Sequence, residues 1–78
     1  MKKNLTELVV GDVIVDPQGR RHSVTAAVTQ IVDEDGDIGY AIPVSYVSEV
    51  CGGQVFDEVR EVFPVKGPET IIFNVEER

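Results

Sequence analysis

The sequence predicts a mainly β domain: a small antiparallel meander or barrel of four to five strands, with a short helix competing near residues 54–63. Three observations predict it. Apolar and polar residues alternate with period two in several runs, whereas helical spacing is scarce. Glycine-containing turn signals separate those runs at hairpin distances. The 78 residues make one domain, residues 1–78, with no linker, repeat or low-complexity stretch. A chain this short buries only roughly 60% of the surface its unfolded form exposes, which leaves little room for a deep pocket.

The first element is "LVVGDVIVD", residues 8–16, a β-branched run read as a strand. It ends at "DPQG". Asp16 at position i, Pro17 at i+1 and Gly19 at i+3 suit a type I turn, because proline pre-sets φ and the aspartate caps the backbone. The longer stretch "LVVGDVIVDPQGRRHSV", residues 8–24, resembles the first hairpin of many SH3-like barrels, where a leucine, a Gly-Asp pair and a valine lead into the first strand. The resemblance implies a small SH3-like barrel and carries no functional residues. The chain has no Trp, and Tyr40 and Tyr46 sit on an apolar stripe. An aromatic groove for proline-rich peptides is therefore not expected.

The second and third strands form a hairpin over residues 23–46. Val24, Ala26, Val28 and Val32 point one way in the first arm, with only Gln30 breaking the stripe; Ile38, Tyr40, Ile42, Val44 and Tyr46 point one way in the second. A two-residue loop at Asp35-Gly36 would put the two stripes on opposite faces. A three-residue loop, Glu34-Asp35-Gly36, pairs Val32 with Ile38, Val28 with Ile42, Ala26 with Val44 and Val24 with Tyr46, and both stripes then share a face. Such a loop wants a type I turn followed by a left-handed glycine, and Gly36 is in that place.

"SYVSEVCGG" reads as one helical turn capped by Ser45 and ended by Gly52. "QVFDEVREVF" has two readings. As a helix, Val55, Phe56, Val59, Val62 and Phe63 form one apolar face; as a strand, Val55, Val59 and Phe63 share a face. The periodicity favours the helix, and Pro64 would stop it. "VKGPE" is a turn, and "TIIFNVE" closes the chain as a strand with Ile71, Phe73 and Val75 inward.

Charge is uneven. Residues 1–32 hold Lys2, Lys3, Arg20 and Arg21 against Glu7, Asp12 and Asp16; residues 33–77 hold eleven acids against Arg60 and Lys66, within a net charge of −7. Such a surface repels phosphate backbones, so no direct nucleic-acid binding is expected. The acids Asp33, Glu34, Asp35, Asp37, Asp57, Glu58, Glu61 and Glu69 are the candidate partner-binding residues. Asp33, Asp35 and Asp37 also match the first, third and fifth positions of a calcium loop. Ile38 and Val44 stand where that loop needs glycine and glutamate, so no metal is expected.

One cysteine, Cys51, allows no internal disulfide, and "MKKNLTELVV" has no apolar run of a signal peptide. A cytoplasmic protein with no membrane span follows as an expectation. Cys51 before Gly-Gly reads as a small apolar filler, and His22 beside a turn as solvated; nothing places them together as nucleophile and base. No phosphate loop, dinucleotide fingerprint or H-E-x-x-H motif occurs, and no cofactor is expected. The composition points to a non-enzymatic protein-interaction module, a bacterial or phage accessory protein. The alternative is an acidic nucleic-acid mimic that blocks the site of a basic nucleic-acid-binding protein.

Overall fold

A computed structural model describes residues 1–77. Among the described residues, seven strands are formed: β1 (Lys2–Asn4), β2 (Val13–Val15), β3 (Arg21–Val24), β4 (Thr29–Val32), β5 (Ile38–Ser48), β6 (Gln54–Val62) and β7 (Ile72–Asn74). Short 3-10 turns cover Leu5–Glu7 and Pro68–Thr70. The fold is mainly β, as the alternation predicted, and its main sheet curls into a half-barrel. In that sheet β5 is central: β3 and β4 pair with one of its edges and β6 with the other, while β2 extends the sheet beyond β3. All pairings are antiparallel, and β1 and β7 form a separate two-stranded sheet.

Both hairpin tips are built alike. In the first, the Asp16 carbonyl accepts from the Gly19 N–H at 2.9 Å, and Asp16 Oδ1 accepts from the Gln18 and Arg20 N–H groups at 2.9 and 2.8 Å. In the second, the Asp33 carbonyl accepts from Gly36 at 3.1 Å, and Asp33 Oδ1 accepts from Asp35 and Asp37 at 2.9 and 2.8 Å. Gly19 and Gly36 have φ of 84° and 83°, the left-handed conformation that closes a three-residue loop.

The expected register holds at the second tip, where Val32 pairs with Ile38. It shifts further along. Val24 pairs with Val44 rather than Tyr46, and residues 25–28 leave the ladder. Two residues of β5, Ile42 and Pro43, there face four of the other arm. Pro43 has no N–H to donate, and its carbonyl accepts from Thr25 at 3.0 Å. The slip is even, so Val24 and Val44 stay inward, but Ala26 becomes exposed. Val32 and Ile38 are also exposed, because the tip runs beyond the core.

The opening run is not one strand over residues 8–16. Only Val13–Val15 is extended into the ladder. Asp12 Oδ2 accepts from the Val9 N–H at 3.0 Å and Gly11 takes φ 95°, which folds the chain back before β2. Asp12 is buried and held by Lys3 Nζ at 2.9 and 3.0 Å. Ahead of it, Asn4 and Glu7 form a capping box around the 3-10 turn that buries Leu5.

Two helical expectations are overturned. Ser45 caps nothing: β5 runs on to Ser48 before the turn at residues 49–53. Residues 54–62 are strand, not helix. Gly52 and Gly53, with φ of 70° and 82°, return the chain so that Gln54 faces Ser48. The eleven-residue β5 then offers a ladder that β-branched Val55, Val59 and Val62 fit better than a helix.

The core is Leu5, Leu8, Ile14, Val24, Ile42, Val44 and Val75. Ile71 and Phe73 pack against it half-buried, so the inward reading of the last strand holds.

Candidate functional site

The β5–β6 ribbon carries the candidate site. Directly opposed residues share a face, so the register sorts every side chain. On the inner face, toward the core, Phe56, Glu58, Arg60 and Val62 oppose Tyr46, Val44, Ile42 and Tyr40. On the outer face, Val55, Asp57, Val59 and Glu61 oppose Val47, Ser45, Pro43 and Ala41. Beyond β6, the Phe63 ring lies over Gly39, where an added Cβ would overlap it.

Exposure separates the faces from the core. Val47, Val55 and Val59 are 60%, 66% and 58% exposed, and Phe63 is 40% exposed. Four large apolar side chains thus stand on one outer face, with Asp57 and Glu61 between them. A broad groove of about 810 Å³ runs on that face from Arg20 and Arg21 past Ser23 and Ser45 to Val47 and Val55.

A second groove of about 420 Å³ opens under the inner face, with Ile14, Val44 and Phe73 behind it and Glu58 and Arg60 at its mouth. His22 lines it and is only 3% exposed, so it is not the solvated residue expected. It faces inward because it opposes Ile14 in the ladder and lies two residues from Val24. That alternation is legible in "RHSV" and is the signal that could have found it. Arg60 Nη2 lies 3.5 and 3.4 Å from His22 Nδ1 and Nε2. Such near-equal distances suit a guanidinium set against the imidazole, since a directed bond would favour one nitrogen. Tyr46 packs on His22 with ring centroids 5.3 Å apart and stacks on Phe56 at 5.8 Å.

Asp16 joins this cluster to the first hairpin tip, with Oδ2 3.5 Å from His22 Nε2. Desolvation pushes the Asp16 carboxyl up, but the N–H groups of Arg20 and Gln18 together with His22 outweigh it and hold the acid below its ordinary value. Cys51, the nucleophile His22 would need, is exposed in the turn after Ser48 and fills no apolar space. Neither groove is lined by both residues.

The predicted acidic residues fall in separate places. Asp57 and Glu61 are on the outer face of β6 and Glu58 on the inner. Glu69 sits in the second 3-10 turn. Asp33, Glu34, Asp35 and Asp37 share the second hairpin tip, where the three aspartate carboxylates lie within 4.8 Å of one another. Asp33 Oδ1 there serves the backbone as a turn cap. The basic residues are partly engaged: Lys3 holds Asp12, and Arg21 pairs with Glu76 at 2.7 Å. Among the described residues, no helix is long and apolar enough to cross a membrane.

No protein-family model matches this chain, and no curated protein or solved structure matches it either.

Proposed function

We propose that this chain is a small protein-interaction module whose contact surface is the outer face of the β5–β6 ribbon. The observation that carries the reading is the exposure of Val47, Val55, Val59 and Phe63 on one face of a seventy-eight-residue domain. Exposed apolar side chains gathered on one surface mark contact sites, whereas scattered ones do not. Asp57 and Glu61 alternate with these apolar side chains, so the complementary partner is a protein whose apolar contacts are interspersed with basic groups. The curled sheet is read here as an SH3-like barrel left open along β6. A mimic of nucleic acid would need one acidic stripe, and the division of Asp57 and Glu61 from Glu58 between two faces lends that alternative less support.

The test is capture from the native host with the wild-type chain, followed by binding of the recovered protein to two variants. Val47→Asp places a charge in the patch and should abolish binding. Glu69→Lys, away from the ribbon, should leave it unchanged. A recovered protein that binds both variants equally overturns the reading.

A further inference from the structure

We infer that β6 pairs antiparallel with β6 of a second copy, about a two-fold axis at Val59, so that the two half-barrels share one continuous sheet. Among the described residues, β6 pairs only with β5, so a nine-residue edge has its second row of N–H and C=O groups without a strand. Such an edge is a template for another strand. The opposite edge of the sheet is treated differently. There Ile14 of β2 bridges to Val75, and the Val13 carbonyl accepts from the Glu76 N–H at 2.8 Å. β4 is only four residues long. Gln54–Val62 contains no proline or lysine; the inward-facing charges it does carry, Glu58 and Arg60, would guard the edge against most strands but are of opposite sign and neutralise each other across a two-fold.

Its four charges select one register. A two-fold axis normal to the sheet keeps inner faces together, so only residues of one face can oppose each other. With Val59 on the axis, Glu58 meets Arg60 of the partner subunit, and Arg60 meets Glu58 of the partner subunit. Phe56 meets Val62 of the partner subunit on the inner face, and Val55 meets Phe63 of the partner subunit on the outer. Asp57 opposes Glu61 of the partner subunit, which is unfavourable but lies on the exposed face, where salt screens it. Sliding by two residues either way sets Glu58 or Arg60 against itself on the axis. Arg60 supplies a second, independent observation. Its Nε is buried and finds no hydrogen-bond acceptor among the described residues, and Oε1 of its own Glu58 is 4.0 Å away. The pairing brings a second carboxylate within cross-strand reach of that guanidinium.

The dimer goes beyond the interaction reading and does not depend on it: Val55 and Phe63 border both surfaces, but the pairing rests on the backbone edge and the inner-face charges Glu58 and Arg60. The test is sedimentation velocity at low salt across a concentration series, with circular dichroism to verify folding. The wild type should show a species of twice the 8.6 kDa chain mass. Glu58→Arg alone and Arg60→Glu alone should each weaken association by at least about tenfold, since both create like-charge pairs twice per dimer. An equimolar mixture of the two variants restores both oppositely charged pairs and should dimerise again. So should the double variant Glu58→Arg/Arg60→Glu in one chain. A wild type that stays at the monomer mass up to millimolar concentration overturns the inference, as does a dimer indifferent to both reversals. Val47→Asp should dimerise like the wild type, so loss of partner binding and loss of the dimer are read separately.

Discussion

Gly39 and Phe63 should form a coupled pair whose energy a double-mutant cycle can read. Gly39 needs no unusual backbone; its φ is not positive. It is glycine because the Phe63 ring occupies the space of a Cβ. Gly39→Ala should therefore displace the ring rather than strain the strand. Phe63 is 40% exposed, so about 60% of its surface is covered; full burial of a phenylalanine contributes roughly 1.5–3 kcal/mol, which sets the loss near 1–2 kcal/mol. Phe63→Ala alone should cost a similar amount. In the Phe63→Ala background, Gly39→Ala should cost almost nothing, because the collision is gone and alanine is the better strand residue. The coupling is then about 1–2 kcal/mol, well above the few tenths expected of independent sites. Urea titration of the four proteins measures it, and at this size 1 kcal/mol corresponds to roughly 4–8 °C in Tm. Additive costs in the double variant would refute the packing argument.

Gly36→Val should destabilise by about 1 kcal/mol or more, because a β-branched residue is poor at the φ of 83° found there; Gly36→Asn should lose less in the same melts. Lys3→Met should cost about 3 kcal/mol, at the low end for a broken buried pair because Lys3 is 21% exposed while Asp12 is 5% exposed; a loss under 0.5 kcal/mol in urea would contradict it. Asp16 has a folded pKa below its unfolded one, so its stabilisation is complete above the ordinary carboxylate range and is lost as pH falls through the lowered folded value. Asp16→Asn should flatten that acid limb in Tm-against-pH curves. Millimolar calcium should give no saturable shift in Tm beyond matched ionic strength, since one oxygen of Asp33 already caps two backbone N–H groups.

Much of the fold was legible because local chemistry decided it. Asp16, Gly19, Asp33 and Gly36 fix their turns with neighbours only four residues away, and the strand faces follow from alternation. The misreadings share a physical cause. Val55, Phe56, Val59, Val62 and Phe63 satisfy both periods, and only the length of β5 decides between them. The slip at residues 25–28 depends on Pro43, in another strand. Asp12 and Lys3 meet across a backbone fold that no local period announces. His22 was misplaced for a different reason: its neighbours Arg20 and Arg21 are polar, yet the alternation through Ser23 to Val24 turns it inward. The acidic residues of the candidate site were visible as composition, but their division between two faces of β6 required the register.

The β1–β7 sheet has a consequence for how the molecule opens. It joins residues 2–4 to residues 72–74, so its closure is the most non-local pairing in the fold. Small distant sheets of this kind usually fray cheaply. Here the segments beside it carry Leu5 and Val75, which are 1% and 3% exposed. Exposing both costs on the order of 3–6 kcal/mol, comparable with the roughly 4–12 kcal/mol of stability expected at 0.05–0.15 kcal/mol per residue for 78 residues. The sheet therefore behaves as a clasp whose release takes a large share of the free energy of global unfolding. Its amides should therefore exchange with solvent slowly, through an opening that costs on the order of 3–6 kcal/mol. The far end of the ribbon, where Val47 and Val55 support no core, should exchange much faster through a local opening. The chain thus divides kinetically into a cooperative body and a loosely held arm, and the arm is the part that bears the exposed surface.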